Sequence, residues 1–155
     1  MIDLPPAILH DEVPRHCFSV VVSAYQIQPS LLGGILYVEG GRKGMANLNK
    51  NGSYDYGAAQ INSSWLEKTK EIGIDAEQLK NDTCKNLWTA GWILRRCLNK
   101  FNGSFWDGVG CYHTGESPKK PEQIARQKQY AIKVYKAAHK VEASVARWLA
   151  GASPK

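Results

Sequence analysis

A carboxyl group on the apolar face of a helix is the feature that most restricts this chain. Leu32, Ile35, Leu36 and Glu39 fall at i, i+3, i+4 and i+7, which places them on one face of an α-helix. That face packs inward, so Glu39 is expected to be partly desolvated, and burial raises a carboxyl pKa. Pro29 suits the first turn of this helix and Gly40-Gly41 reads as its stop. Glu39 then sits in the last turn, where the negative end of the helix dipole also disfavours ionisation. Both effects favour an acid that still holds its proton near neutrality. Gly33 and Gly34 inside the helix cost roughly 1 kcal/mol each relative to Ala, a cost that predicts a second helix crossing closely there.

The segment downstream is rich in turns: Asn47, Asn49, Asn51, Gly52 and Ser53. Asn-Gly favours a tight hairpin turn. Asp55 follows, flanked by Tyr54 and Tyr56, and is expected to project from a short strand. Gly57 permits close backbone approach, and Gln60 and Asn62 offer amides suited to sugar hydroxyls. Glu39 and Asp55 together are candidates for a paired-carboxylate site of the kind that cleaves glycosidic bonds, one as acid and the other as charge stabiliser or nucleophile. Taken separately, each has an ordinary alternative, a solvated helix-end glutamate and a polar hairpin with an Asx-turn.

The run NGSYDYGAAQINSSW, residues 51–65, resembles the catalytic hairpin of animal (chicken-type) lysozymes, Gly-Ser-x-Asp-Tyr-Gly-x-x-Gln-Ile-Asn-Ser-x-Trp. The rest of the chain is similar to the family 1 lytic transglycosylases of bacteria, and within them to the small specialised enzymes of type III and type IV secretion and conjugation systems. Those carry a Cys-containing helix, then x-Ile-x-Pro-x-Leu-Leu-x-x-Ile-x-x-x-Glu, and later Tyr-His-Thr-Gly. Here the matching residues are Cys17, Ile27 through Glu39, and Tyr112-His113-Thr114-Gly115. The resemblance spans roughly residues 15–135. It implies an α+β, predominantly α, lysozyme-like fold with a short β-hairpin region.

It also implies roles. Glu39 matches the catalytic acid/base, and Asp55 the second carboxylate of lysozymes, which most transglycosylases lack. Asn49 and Asn62 match residues that surround and hydrogen-bond that aspartate. Gln60 matches a glutamine lining the sugar groove, and Tyr112 a tyrosine close to the glutamate. The implied substrate is the peptidoglycan glycan strand, with no metal or cofactor, and the implied task is local wall opening for a secretion or conjugation machine. Gly40 departs from the family, which usually has Ser after the glutamate to help hold the reactive sugar. Cys111 replaces a usual small residue.

A chain of 155 residues, 43% hydrophobic, is long enough for one domain with a real core. The net charge of +6 suits an anionic partner. No zinc spacing, phosphate loop or nucleic-acid motif is present, so cell-wall polymer is the expected partner rather than nucleic acid. A monomer is expected. Cys17, Cys84, Cys97 and Cys111 have no metal-ligand spacing; their even number suggests disulfides and an oxidising compartment, the alternative being buried thiols. Cys84 and Cys97 lie about 20 Å apart if one helix holds both. The expected link is Cys17–Cys97, with Cys84–Cys111 as the accompanying pair. Residues 1–14 lack the basic and apolar regions of a signal peptide, and no run reaches the ~18–20 apolar residues of a membrane span. The expected location is periplasmic or exported, in a form of the chain without a leader.

Periodicity gives the organisation: a flexible segment over 1–14, one domain over 15–149 and a tail over 150–155. Helices are expected over 15–26 (Cys17, Val20, Val21 and Ala24 inward), from Pro29, over 62–72, 76–81, 84–101 (Leu87, Leu94, Cys97, Leu98 and Phe101 inward) and 104–112, with the hairpin over 41–58. A last helix runs to about 149, with Val134, Ala138, Val141, Val145 and Trp148 on one stripe. That stripe fits a helix folded back on its own domain or a basic amphipathic docking helix for a secretion-apparatus partner.

Overall fold

The computed structural model describes residues 3–154 and shows eight α-helices and a small antiparallel sheet. The helices are α1 (Pro6–Leu9), α2 (Arg15–Ala24), α3 (Pro29–Glu39), α4 (Leu66–Thr69), α5 (Ala76–Asn81), α6 (Thr83–Lys100), α7 (Phe105–Thr114) and α8 (Pro121–Leu149). The strands are β1 (Ala46–Leu48), β2 (Tyr54–Tyr56) and β3 (Ile61–Asn62), paired in that order. This is the predominantly α, lysozyme-like α+β architecture that the sequence implies. Among the described residues no single helix is long and apolar enough to cross a membrane.

The α3/α8 contact organises the helices. A Cβ on Gly33 would lie 2.9 Å from a Val145 methyl carbon, and one on Gly34 2.9 Å from the Ala138 backbone nitrogen. The two glycines therefore let α8 approach as closely as their helix cost predicts. The α8 stripe is spent on this packing: Val134, Val141, Val145 and Trp148 are buried. That face is folded back on its own domain and is not free to receive a partner.

Three expectations are corrected. The segment over 1–14 was expected to be flexible, yet its described part packs on the core. Leu4, Ala7, Ile8 and Val13 are buried, and Glu12 accepts a bidentate pair from Arg42 at 2.8 and 2.9 Å. The arginine bond is the main reason the Glu12 carboxyl is held below its ordinary pKa. The inward face of α2 is also rotated. Phe18 and Val21 are buried, whereas Val20 and Ala24 are exposed, because the larger Phe18 side chain takes the core position, edge-on to Trp148 at 5.3 Å. The single helix expected over 62–72 is three short turns, a 3-10 turn at Ser63–Trp65, α4, and a second 3-10 turn at Lys70–Ile72.

The disulfide pairing is also corrected. Cys17 joins Cys84, and Cys97 joins Cys111. Each half of α6 has its own neighbour. Alongside α2, the tilted rings of Tyr25 and Trp88 meet with centroids 4.8 Å apart and a Gly91 Cβ would meet Val21 and Tyr25 at 2.7 Å, so Cys17 faces the first turn of α6. Near the other end Gly108 of α7 lies against Leu98, which brings Cys111 to Cys97. Cys97 and Cys111 are fully buried, and Cys17 and Cys84 are partly exposed.

Accordingly, mild reduction of the native protein should open Cys17–Cys84 first. Loop-closure entropy gives about 4 kcal/mol for the loop of 67 residues and about 3 kcal/mol for that of 14. Timed alkylation with peptide mapping checks the order, and denaturant unfolding of Cys17→Ser/Cys84→Ser checks the loss.

Candidate active site

Glu39 closes α3, and Gly40 follows in the left-handed conformation at φ 63°. Across the turn, a Cβ on Gly41 would lie 2.1 Å from the Gly57 carbonyl oxygen, so the sheet is seated directly against the end of α3. Asn86, wholly buried on α6, fastens the sheet from the other side. Its amide accepts from the Ala59 N–H at 2.8 Å and donates to the Tyr56 and Leu79 carbonyls, each at 2.8 Å.

The sheet register places Asn47, Asp55 and Asn62 opposite one another, hence on one face. Asn62 donates to Asp55 Oδ1 at 2.9 Å. Asn49 does not reach Asp55; its amide donates to Ser53 Oγ at 3.1 Å. Gln60 adopts φ 53°, donates to the Gly57 carbonyl at 2.9 Å and accepts from Asn47 at 2.8 Å. Tyr112 is buried on α7 and its hydroxyl donates to the Ala59 carbonyl at 2.9 Å. It braces the loop before β3.

All six residues singled out in the sequence, Glu39, Asn49, Asp55, Gln60, Asn62 and Tyr112, line one open cleft of about 600 Å³. The sequence reading missed Tyr130, whose hydroxyl donates to Glu39 Oε2 at 2.7 Å. A signal for it existed: Tyr130 extends the α8 stripe by one step of four from Val134. It also missed a charged end to the cleft, where Glu116 accepts from Lys68 at 3.0 Å and Arg96 at 3.1 Å. Partial burial opposes ionisation of Glu116, but these two bonds prevail and hold its carboxyl below the ordinary range. His113 lies flat on Tyr130 with ring centroids 4.9 Å apart.

The electrostatics of Glu39 follow from this setting. Burial pushes its pKa up to about 7, the Asp55 charge pushes in the same direction, and the Tyr130 bond opposes both. The result is a carboxyl balanced between its protonated and ionised forms near neutral pH, able both to give a proton and to take one. Burial and the neighbouring Glu39 raise the Tyr130 hydroxyl well above its ordinary pKa, so Tyr130 remains a hydrogen-bond donor. The chemistry available is proton donation by Glu39 to a leaving oxygen in the cleft, with a second carboxylate on the facing sheet.

Comparison with known proteins agrees with this geometry. The family model described as the transglycosylase SLT domain matches residues 16–136. The chain belongs to this family. It is 34% identical over 121 residues to Protein IpgF of Shigella flexneri, covering 77% of each chain. It is 33% identical over 120 residues to Invasion protein IagB of Salmonella typhimurium, covering 77% of this chain and 72% of that one. It is 31% identical over 121 residues to the X polypeptide of Escherichia coli, covering 77% and 70%. As a member of the SLT family the chain is a lytic transglycosylase, an enzyme of peptidoglycan, as the motifs implied. The match ends inside α8, so the last turns of that helix lie outside the family model.

Tyr130→Phe removes the one contact that lowers the Glu39 pKa. The Glu39 titration should therefore move to higher pH, and the alkaline limb of activity should move with it. Carboxyl titration by isotope-edited infrared spectroscopy, set beside a pH–rate profile, checks both shifts.

Proposed function

We propose that this enzyme cleaves the β-1,4 bond between N-acetylmuramic acid and N-acetylglucosamine in peptidoglycan and releases a 1,6-anhydro product. The supporting observation is Glu39, a half-buried carboxyl with a pKa near 7 that shares its cleft with Asp55. Glu39 protonates the leaving glycosidic oxygen. As the carboxylate it then takes the proton of the sugar's own 6-hydroxyl, whose oxygen closes on the anomeric carbon. Asp55, held by Asn62, stabilises the oxocarbenium-like centre between these steps. Gln60, Asn62, Asn49 and Tyr112 shape the sugar groove. The open cleft, with a Lys68–Glu116–Arg96 cluster on its rim, suits a polymeric strand.

The biological reading is local opening of the cell wall for a secretion or conjugation apparatus. Its support is the likeness to a protein named for invasion. Two disulfides suit a periplasmic or exported enzyme. An apparatus protein as partner would have to use a surface other than the buried α8 stripe.

A second reading has specific support. A carboxylate on the hairpin opposite the acid is the arrangement of retaining hydrolases, and with it water can replace the 6-hydroxyl as acceptor. Mass spectrometry of digested peptidoglycan separates the two, since transglycosylation leaves anhydro ends and hydrolysis leaves reducing ends. Anhydro ends are expected.

Glu39→Gln should abolish turnover, because the amide keeps the shape but shuttles no proton, a function typically worth 10²–10⁴-fold. In the parent protein kcat/KM should fall as pH rises through about 7, as Glu39 loses its proton. The same variant carries a fold control with a definite sign. A carboxyl whose folded pKa exceeds its unfolded value binds more protons in the native state, so the parent loses stability as pH rises from 4.5 to about 7. Removing that group should stabilise the fold above neutrality, by on the order of 3 kcal/mol, and change little in acid. Wall lysis by the folded variant, or no pH-dependent gain in unfolding free energy, counts against the assigned state of Glu39.

Asp55→Asn tests the second carboxylate. Electrostatic stabilisation of this kind is worth about 3–4 kcal/mol, roughly 10²–10³-fold in rate. Turnover should drop by that order while affinity for wall fragments holds, with some anhydro product surviving. Near-parent rates would mean that Glu39 works alone.

A further inference from the structure

Glu39 borders two cavities. Besides the main cleft, a second cavity of about 300 Å³ opens between the end of α3 and α8. It shares Glu39 and His113 with the cleft, and its outer wall is Arg126, Gln129 and Lys133. These three stand at i, i+3 and i+7 on α8, one face of two successive turns. The floor is Tyr130, the residue that holds Glu39.

The wall is electrically unmatched. Arg126 and Lys133 form none of the ion pairs found among the described residues. Burial holds His113 below its ordinary pKa, and the Arg126 and Lys133 charges push the same way against the Asp55 charge. The acidic groups facing the cavity are Glu39 itself, protonated over much of the neutral range, and the more distant Asp55 field felt at His113. Two free cations and an amide thus line a concavity that borders Glu39.

Peptidoglycan supplies a matching group at that point. Each muramic acid bears a lactyl-linked peptide with free carboxylates, and the muramic acid undergoing cleavage must lie at Glu39. Charge-assisted bonds from Arg and Lys are the usual recognition of a carboxylate, and an anchored substituent orients the sugar that carries it. We infer that the cavity walled by Arg126, Gln129 and Lys133 is a subsite for a carboxylate of the peptide on the reacting muramic acid, so the enzyme selects strands whose peptides carry free carboxylates over strands in which those groups are amidated. This inference rests on the reading of the cleft as a peptidoglycan site.

The test uses three soluble probes and the parent protein. The first is the disaccharide N-acetylglucosaminyl-N-acetylmuramic acid with its peptide, the second the same compound with every peptide carboxylate amidated, the third the peptide-free disaccharide with its lactyl carboxyl blocked as the methylamide. None contains the bond to be cleaved, so binding is read without turnover, by chemical-shift titration. The first should bind about tenfold more tightly than the other two at low salt, with the margin shrinking as salt rises because the cations are exposed. In Arg126→Gln/Lys133→Gln the margin should vanish, and in Arg126→Lys/Lys133→Arg it should persist. Equal binding of the three probes overturns the inference. So does an amidated peptide that binds as well as the acid, or a margin that survives loss of both cations.

Lysis of intact peptidoglycan and of peptidoglycan with amidated peptide carboxylates is measured in parallel. A binding margin in a protein that lyses neither retains the carboxylate subsite and removes the proposed reaction. Lysis of both with no binding margin removes the subsite and retains the reaction.

Discussion

The antiparallel contact of α3 with α8 is the constraint on which the site depends. Gly33 meets Val145 and Val141, Gly34 meets Ala138, and Glu39 meets Tyr130. Moving along α3 toward its end moves back along α8, so the register of the glycines against the small residues of α8 fixes which α8 residue stands over Glu39. A shift of one residue on α8 would turn the helix by about 100° and carry the Tyr130 hydroxyl away from the carboxyl. Side chains at Gly33 or Gly34 would hold the helices apart and admit water to Glu39. The close packing and the raised pKa therefore share one cause. Two glycines poor for the helix are retained where close approach needs them.

Asp55 answers to a different set of forces. It stands on three short strands of only eight residues in all, too few to be stable unaided. The sheet is held by what touches it from the helices: the Asn86 amide bonds to three backbone groups around it, and the Tyr112 hydroxyl holds the Ala59 carbonyl. Each of these buried polar groups is satisfied by a backbone partner, which makes them rigid tethers rather than costs. The two carboxylates are thus supported separately, one by a helix crossing and one by side-chain bonds from α6 and α7. Their environments differ accordingly, a half-buried acid with a tyrosine donor and a strand aspartate with an asparagine donor.

Most of this architecture was legible in the sequence because it follows from local period and punctuation. The α3 face, its Gly stop, the double glycine, the long α6 and the stripe of α8 all declare themselves within a few turns. What escaped depends on three-dimensional adjacency. The Cys17–Cys84 link turns on which end of α6 lies beside α2, a matter of helix order in space that cysteine spacing does not carry. The inward face of α2 was placed on Cys17, Val20, Val21 and Ala24 and left out Phe18, whose larger aromatic side chain decides the face. Leu4, Ala7 and Ile8 do show helical spacing, but a run of three is too short to separate from a loose terminus. Within the site, the sequence supplied Glu39 on α3 and Asn49, Asp55, Gln60 and Asn62 in the hairpin region. Tyr130 and the Lys68–Glu116–Arg96 cluster were not found, since their partners lie 20 to 91 residues away. Asn49 was assigned to Asp55 by likeness, whereas its nearest acceptor within the hairpin is Ser53.

The placement of the covalent links sharpens the point about support. Cys17–Cys84 and Cys97–Cys111 join α2, α6 and α7 to one another. Neither reaches α3, α8 or the sheet, the three elements that carry Glu39, Tyr130 and Asp55. The scaffold behind the cleft is cross-linked, while the placing of Glu39 and Asp55 rests on packing and hydrogen bonds alone. Such contacts permit small relative movement of sheet and helices that a disulfide would oppose. The cross-links keep α6 and α7 fixed as the common base against which both carboxylates are set.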